Sequence, residues 1–302
     1  MTAPFADRLA DAVLTKGSSL VVGLDPDPAR FPEALVGTGV GSDREATAAA
    51  ILAFNTAVIE EVAPFACAVK PQSAYYEAWG APGVAAYEAT IARAHEANLL
   101  VIGDVKRGDI GSTATAYAAG HLLAPGSADA ITVNPYLGTD SIEPFVKAAQ
   151  EGGGGLFILV RTSNPSAADI QDLQADGKAI HDHVAGLVTG WGANTVGENG
   201  YSSVGAVVGA TRPQELASLR EALPQAWLLI PGVGAQGGKA ADIACAYDER
   251  GLGAVVNSSR GILYAYGDPG ASEWRAAIAG AARTLRDELA EASGATGVQQ
   301  GT

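Results

Sequence analysis

The chain has 302 residues, 48% hydrophobic and 17% charged, with a net charge of −14 at pH 7. That length holds one large core, and no apolar run approaches the ~18 residues of a membrane-spanning helix. The acidic balance argues against a nucleic-acid partner, which needs a basic face, but leaves room for a small anion held by a local cluster of Lys and Arg in a cleft.

The opening stretch "MTAPFADRLADAV" carries Asp7 and Asp11 and lacks a signal-peptide layout. Only two cysteines occur, Cys67 and Cys245, each in an apolar segment. A soluble, cytoplasmic protein with reduced and buried cysteines is the expectation. Residues 1–16 read as a helix. Eight apolar segments then read as buried strands: "LVVGLD" (20–25), "CAVK" (67–70), "LLVIGDV" (99–105), "AITVN" (130–134), "LFILVRT" (156–162), "VGAVVGA" (204–210), "WLLIPGV" (227–233) and "GAVVNSS" (253–259). Helical spacing fills most of the gaps; in "KAIHDHVAGLVTGWGAN", Ile180, Val184, Leu187, Val188 and Trp191 fall on one face. His181 and His183, in that stretch, read as surface residues, and no His or Cys spacing suggests zinc.

Eight alternations of strand and helix predict an α/β chain folded as a (β/α)8 TIM barrel over residues 1–292, with the extra N-terminal helix closing its bottom. Residues 293–302 read as a flexible tail. An open doubly wound sheet is the alternative, weakened by the absence of a GxGxxG fingerprint after the first strand. The loop at 26–42 reads as an irregular surface excursion, and the long segment "NPSAADIQDLQADG" after the fifth strand reads as functional or mobile.

Polar residues concentrate at strand ends: Asp25, Lys70, Asp104 with Lys106, Asn134, Ser163, Gln236 and Arg260. In a barrel these ends share one mouth, where barrel enzymes keep their chemistry. Singly, Asp25 could cap a helix and Lys70 could snorkel to the surface; together they imply a site. "PGVGAQGG" (231–238) and "SSRG" (258–261) follow the seventh and eighth strands. Their backbone N–H groups, the Gln236 amide and the Arg260 fork suit a phosphate. Asp104 and Lys106 are two apart on a strand, so they share a side, and Lys70 reaches the same spot from the neighbouring strand. Asp109 and Thr113, four apart, share a helical face. Such an array holds its ammonium groups charged, stabilises negative charge and can deliver a proton.

"DVKRGDIGST", with "LDP", "VKPQ", "RTSNP", "PGVGAQGG" and "NSSRGI", closely resembles orotidine 5'-phosphate decarboxylase in its longer bacterial (type 2) subfamily, over about residues 16–267. The resemblance implies a homodimeric barrel that converts orotidine 5'-phosphate to UMP with no metal or organic cofactor. It places Lys70, Asp104, Lys106 and Asp109 in the catalytic array, with Lys106 as proton donor. Asp109 and Thr113 would enter the partner's site. Asp25 would hold a ribose hydroxyl, Ser163 the pyrimidine, and Gln236 and Arg260 the phosphate. No role is assigned to Asn134. A metal-dependent sugar-phosphate decarboxylase or aldolase on the same barrel is the first rival; it would carry an acidic metal ligand where Lys70 stands. A non-catalytic nucleotide-binding barrel is the second; it would lack Asp104 or Lys106.

Overall fold

The computed structural model describes residues 3–209, 213–232 and 240–294. Eight strands close into a barrel: β1 (Leu20–Leu24), β2 (Ala68–Pro71), β3 (Leu100–Arg107), β4 (Ala130–Val133), β5 (Gly155–Arg161), β6 (Ser202–Val208), β7 (Ala226–Pro231) and β8 (Ala254–Ser258). Every neighbouring pair is parallel and consecutive in the chain, and β8 returns to β1. This is a (β/α)8 TIM barrel. All eight strands read from the sequence are present, with ends moved by at most two residues.

The apolar runs are nearly continuous because both faces of each strand are covered. Leu20, Val22, Val69, Val101 and Ile158 join the outer core under the helices. Val21, Ala68, Ile102, Phe157, Trp227 and Val255 belong to a separate inner core. The N-terminal helix α1 (Phe5–Lys16) enters that inner core through Phe5, Leu9, Ala10 and Val13. Its Phe5 ring meets Phe157 edge-on, with centroids 6.0 Å apart. A Cβ on Gly155 would come within 2.1 Å of Phe5 Cδ1, so the plug requires glycine there. Both carboxylate oxygens of buried Asp7 accept backbone N–H groups, of Glu198 and Asn199, and tie α1 to the approach to β6.

Several expectations need correction. The 26–42 segment is anchored rather than irregular: short 3-10 turns at Pro28–Arg30 and Glu33–Leu35 bring buried Phe31 onto Phe54, with centroids 4.6 Å apart. Arg30 also stacks on Tyr264, 3.8 Å from the ring centroid. Cys67 is buried as expected, but Cys245 is exposed, because the 3-10 segment Ala240–Ala246 turns Ile243 and Ala246 inward instead. In helix α2 (Ile180–Gly192), Val188 is buried but Leu187 is exposed; the buried stripe runs through Ala185, Val188 and Gly192. The His181 side chain is largely covered, with Nδ1 2.8 Å from the Gln171 carbonyl, because the segment after β5 folds back over it. That segment forms a short helix, Ala168–Gln171, and a two-stranded hairpin pairing Gln174 with Ala179. The proposed tail beyond Gly294 and the loop bearing Gln236 lie outside the described residues.

Candidate active site

The site starts from an irregularity in β3. Gly103 pairs with Ile131 and Arg107 with Val133, so Asp104, Val105 and Lys106 stand against Thr132 alone. The extra residues are accommodated at Lys106, whose φ of +44° is left-handed. That conformation costs a side-chain-bearing residue ~1–3 kcal/mol and persists only where surroundings enforce it. Here the Lys106 N–H donates to Thr132 Oγ1 at 2.9 Å.

This turn folds the Lys106 side chain back over its own strand, and Nζ donates to Asp104 Oδ1 at 2.5 Å. From β2, Lys70 Nζ donates to Asp104 Oδ2 at 2.5 Å and Gln72 Nε2 to the same oxygen at 3.0 Å. Thr132 Oγ1 donates to Oδ1 at 3.0 Å. One carboxylate thus accepts from four side chains. Burial alone would raise the Asp104 carboxyl, but the charges of Lys70 and then Lys106 overcome it and hold it at about 2. Burial works against the Lys70 ammonium as well; Asp104 and then Asp25 outweigh it, and its pKa is raised. The two lysines differ in access. The Lys70 side chain is 7% exposed and that of Lys106 46%, so Lys106 is the ammonium open to a bound molecule.

These groups form one wall of a cavity of about 590 Å³ at the C-terminal mouth of the barrel. Leu159, Val207, Leu229 and Pro231 supply an apolar side. Asp25 lines it at the end of β1, with Oδ1 buried and without a hydrogen-bond partner among the described residues. Ser163 lines it after β5, Gly232 after β7, Ser258 at the end of β8, and Ser259 and exposed Arg260 just beyond. The segment after β5 is clamped beside the mouth: buried Arg161 pairs with Glu215 and Asp172, each at 2.9 Å, and Gln171 bonds both the backbone N–H and the hydroxyl of Thr162.

Residues 18–276 match the model of the orotidine 5'-phosphate decarboxylase / HUMPS family. The chain belongs to that family. It is 46% identical to the orotidine 5'-phosphate decarboxylase of Rhodopirellula baltica over 268 residues, covering 87% of this chain and 89% of that one. Against the Deinococcus radiodurans enzyme of the same name, identity is 44% over 301 residues, 99% of this chain and all of the other. The structure of Leishmania donovani OMP decarboxylase superposes with a TM-score of 0.76 at 33% identity, covering 96% of this chain and 98% of that one.

Within this family member, the cavity gathers Asp25, Lys70, Asp104, Lys106, Ser163 and Arg260 on one surface. Gln236 lies outside the described residues. Asp109 and Thr113 are not on the cavity wall: Asp109 Oδ1 accepts the Ile110 N–H, and Thr113 is exposed on the helix Gly111–Ala118. Asn134, expected at the mouth, is also outside it. β4 ends at Val133, and Asn134 Oδ1 instead accepts the Tyr136 N–H in a turn. Gln72, Thr132 and Asn257 line the cavity without having been singled out from sequence. Gln72 had a signal, standing two residues beyond Lys70 at a strand end. Thr132 had none, because its partners lie 26 and 28 residues away.

Proposed function

We infer that the cavity carries out the decarboxylation of orotidine 5'-phosphate to UMP. The observation that carries this reading is the Lys70–Asp104–Lys106 array, with the open ammonium facing a part-apolar cavity that also takes in Arg260. Loss of CO2 leaves the C6–carboxyl bonding electrons on C6, with no ring position that delocalises them well. Fixed positive charge at that point stabilises the transition state. Lys106 Nζ supplies it, gives one proton to C6, and regains a proton from solvent after product leaves. Asp104 keeps the two ammonium groups in place and meets the substrate carboxylate with like charge.

A reaction of this kind draws on the upper part of the ~8–23 kcal/mol that enzymes supply. One ammonium does not cover that. Binding energy at the phosphate contributes the rest by fixing the ring against the array. In this reading Arg260 and Gln236 hold the phosphate, Asp25 a ribose hydroxyl and Ser163 the pyrimidine.

The single chain leaves Asp109 and Thr113 away from its own cavity, on a segment with exposed Ile110 and Tyr117, and Tyr136 and Leu137 are exposed in the loop after β4. An apolar surface of that kind suits a second copy. The functional unit is then a homodimer in which Asp109 and Thr113 complete the neighbouring cavity.

The test is ultraviolet absorbance of orotidine 5'-phosphate with purified protein, with and without chelator. Metal-independent formation of UMP is the expected result. No conversion by folded, UMP-binding protein overturns the catalytic reading, and conversion lost on chelation overturns the role given to Lys70.

A further inference from the structure

Thr132 is the one β4 residue opposite the three-residue irregularity of β3, and it is 2% exposed. A backbone N–H inside such a bulge has lost its ladder partner, and a buried N–H without a partner is costly. The threonine hydroxyl has one proton and accepting lone pairs. The proton goes to Asp104 Oδ1 at 3.0 Å, and a lone pair takes the Lys106 N–H at 2.9 Å. One oxygen therefore joins the backbone of Lys106 to the carboxylate that its own ammonium grips.

We propose that Thr132 is a positioning residue for the proton donor: its hydroxyl straps the left-handed turn at Lys106 to the Asp104 carboxylate and so fixes where Nζ stands. This rests on the reading of Lys106 as proton donor. The remaining bonds to the Asp104 carboxylate, from Lys70 and Gln72, go to the other oxygen, Oδ2. Thr132 thus holds the oxygen that Lys106 uses. It does not act on substrate directly, and the phosphate end of the cavity is built by other strands. Displacing a reacting group by about 1 Å costs on the order of 100-fold in rate, so loss of the strap falls on turnover and not on binding.

The experiment compares wild type, Thr132→Val, which keeps the shape, and Thr132→Ser, which keeps the hydroxyl. Three quantities are read: hydrogen exchange of the Lys106 amide, steady-state kinetics with orotidine 5'-phosphate, and thermal stability. Thr132→Val is expected to speed Lys106 amide exchange and to lower kcat by roughly 10- to 100-fold with KM within about threefold; Thr132→Ser restores both. Unchanged amide exchange in Thr132→Val overturns the strap. Faster exchange with kcat within about twofold of wild type, or a kcat loss that serine does not rescue, overturns the positioning role. A valine variant that melts early with full kcat per folded molecule makes Thr132 purely structural and overturns it as well. Wild-type protein that does not convert orotidine 5'-phosphate refutes the functional reading, whereas the strap itself is still judged by the exchange rates.

Discussion

Replacing Asp104 by Asn keeps the shape of the side chain and removes the charge that two lysines share. The carboxyl drops from its ordinary 3.8 to about 2 in the folded chain. At about 1.4 kcal/mol per unit, the ionised carboxylate contributes roughly 2–3 kcal/mol to folding at neutral pH. The side chain is 8% exposed, so solvent screening takes little from this figure. Because the folded pKa is depressed, the contribution is complete well above 3.8 and is lost as pH falls toward 2. At pH 3 about half of it remains. Asp104→Asn is therefore expected to lower stability by roughly 2–3 kcal/mol at pH 7. That loss is the attraction of the Lys70 and Lys106 ammonium groups for the carboxylate, which is what depresses its pKa. Urea unfolding at pH 7 and pH 3 measures both values, and the gap between variant and wild type narrows at the lower pH. A variant as stable as wild type at pH 7, or a gap that does not shrink with acid, refutes the electrostatic account of the array.

Lys106→Ala is expected to abolish turnover while UMP binding, measured by calorimetry, stays within a few-fold of wild type; retained turnover would remove Lys106 as proton donor. Arg260→Ala removes a charged hydrogen-bonding fork worth about 1.5–3 kcal/mol, so KM and the UMP Kd rise by roughly 10- to 150-fold. An effect on kcat alone would mean that Arg260 does not hold the phosphate. Mixing Asp109→Ala with Lys106→Ala chains at equal ratio is expected to restore about a quarter of wild-type activity, since half the dimers are mixed and each owns one intact site. Absence of recovery, with subunit exchange verified by mass spectrometry, argues against a shared site.

The sequence by itself determined the barrel. Eight apolar runs separated by helical spacing fix strand number and direction, because both signals are local and survive without any knowledge of what packs where. It also placed Asp25, Lys70, Asp104, Lys106, Ser163 and Arg260 at strand ends, and closure of the barrel brings such ends to one mouth. The N-terminal plug was legible as an extra helix ahead of the first strand. What only the tertiary structure decided concerns register and exposure. The strand spacing that put Asp104 and Lys106 on one side assumes a regular β3; their contact in fact depends on a bulge and a left-handed lysine. Thr132 and Gln72 join Asp104 through pairings across β4 and β2 that no short window contains. Burial separates two lysines that look alike in sequence, sealing Lys70 within the wall and leaving Lys106 open. The same dependence on neighbours exposed Cys245, covered His181 and turned Asn134 away from the mouth. Strand ends are written in the chain one residue at a time, whereas the contacts around Asp104 exist only once three strands have found their register.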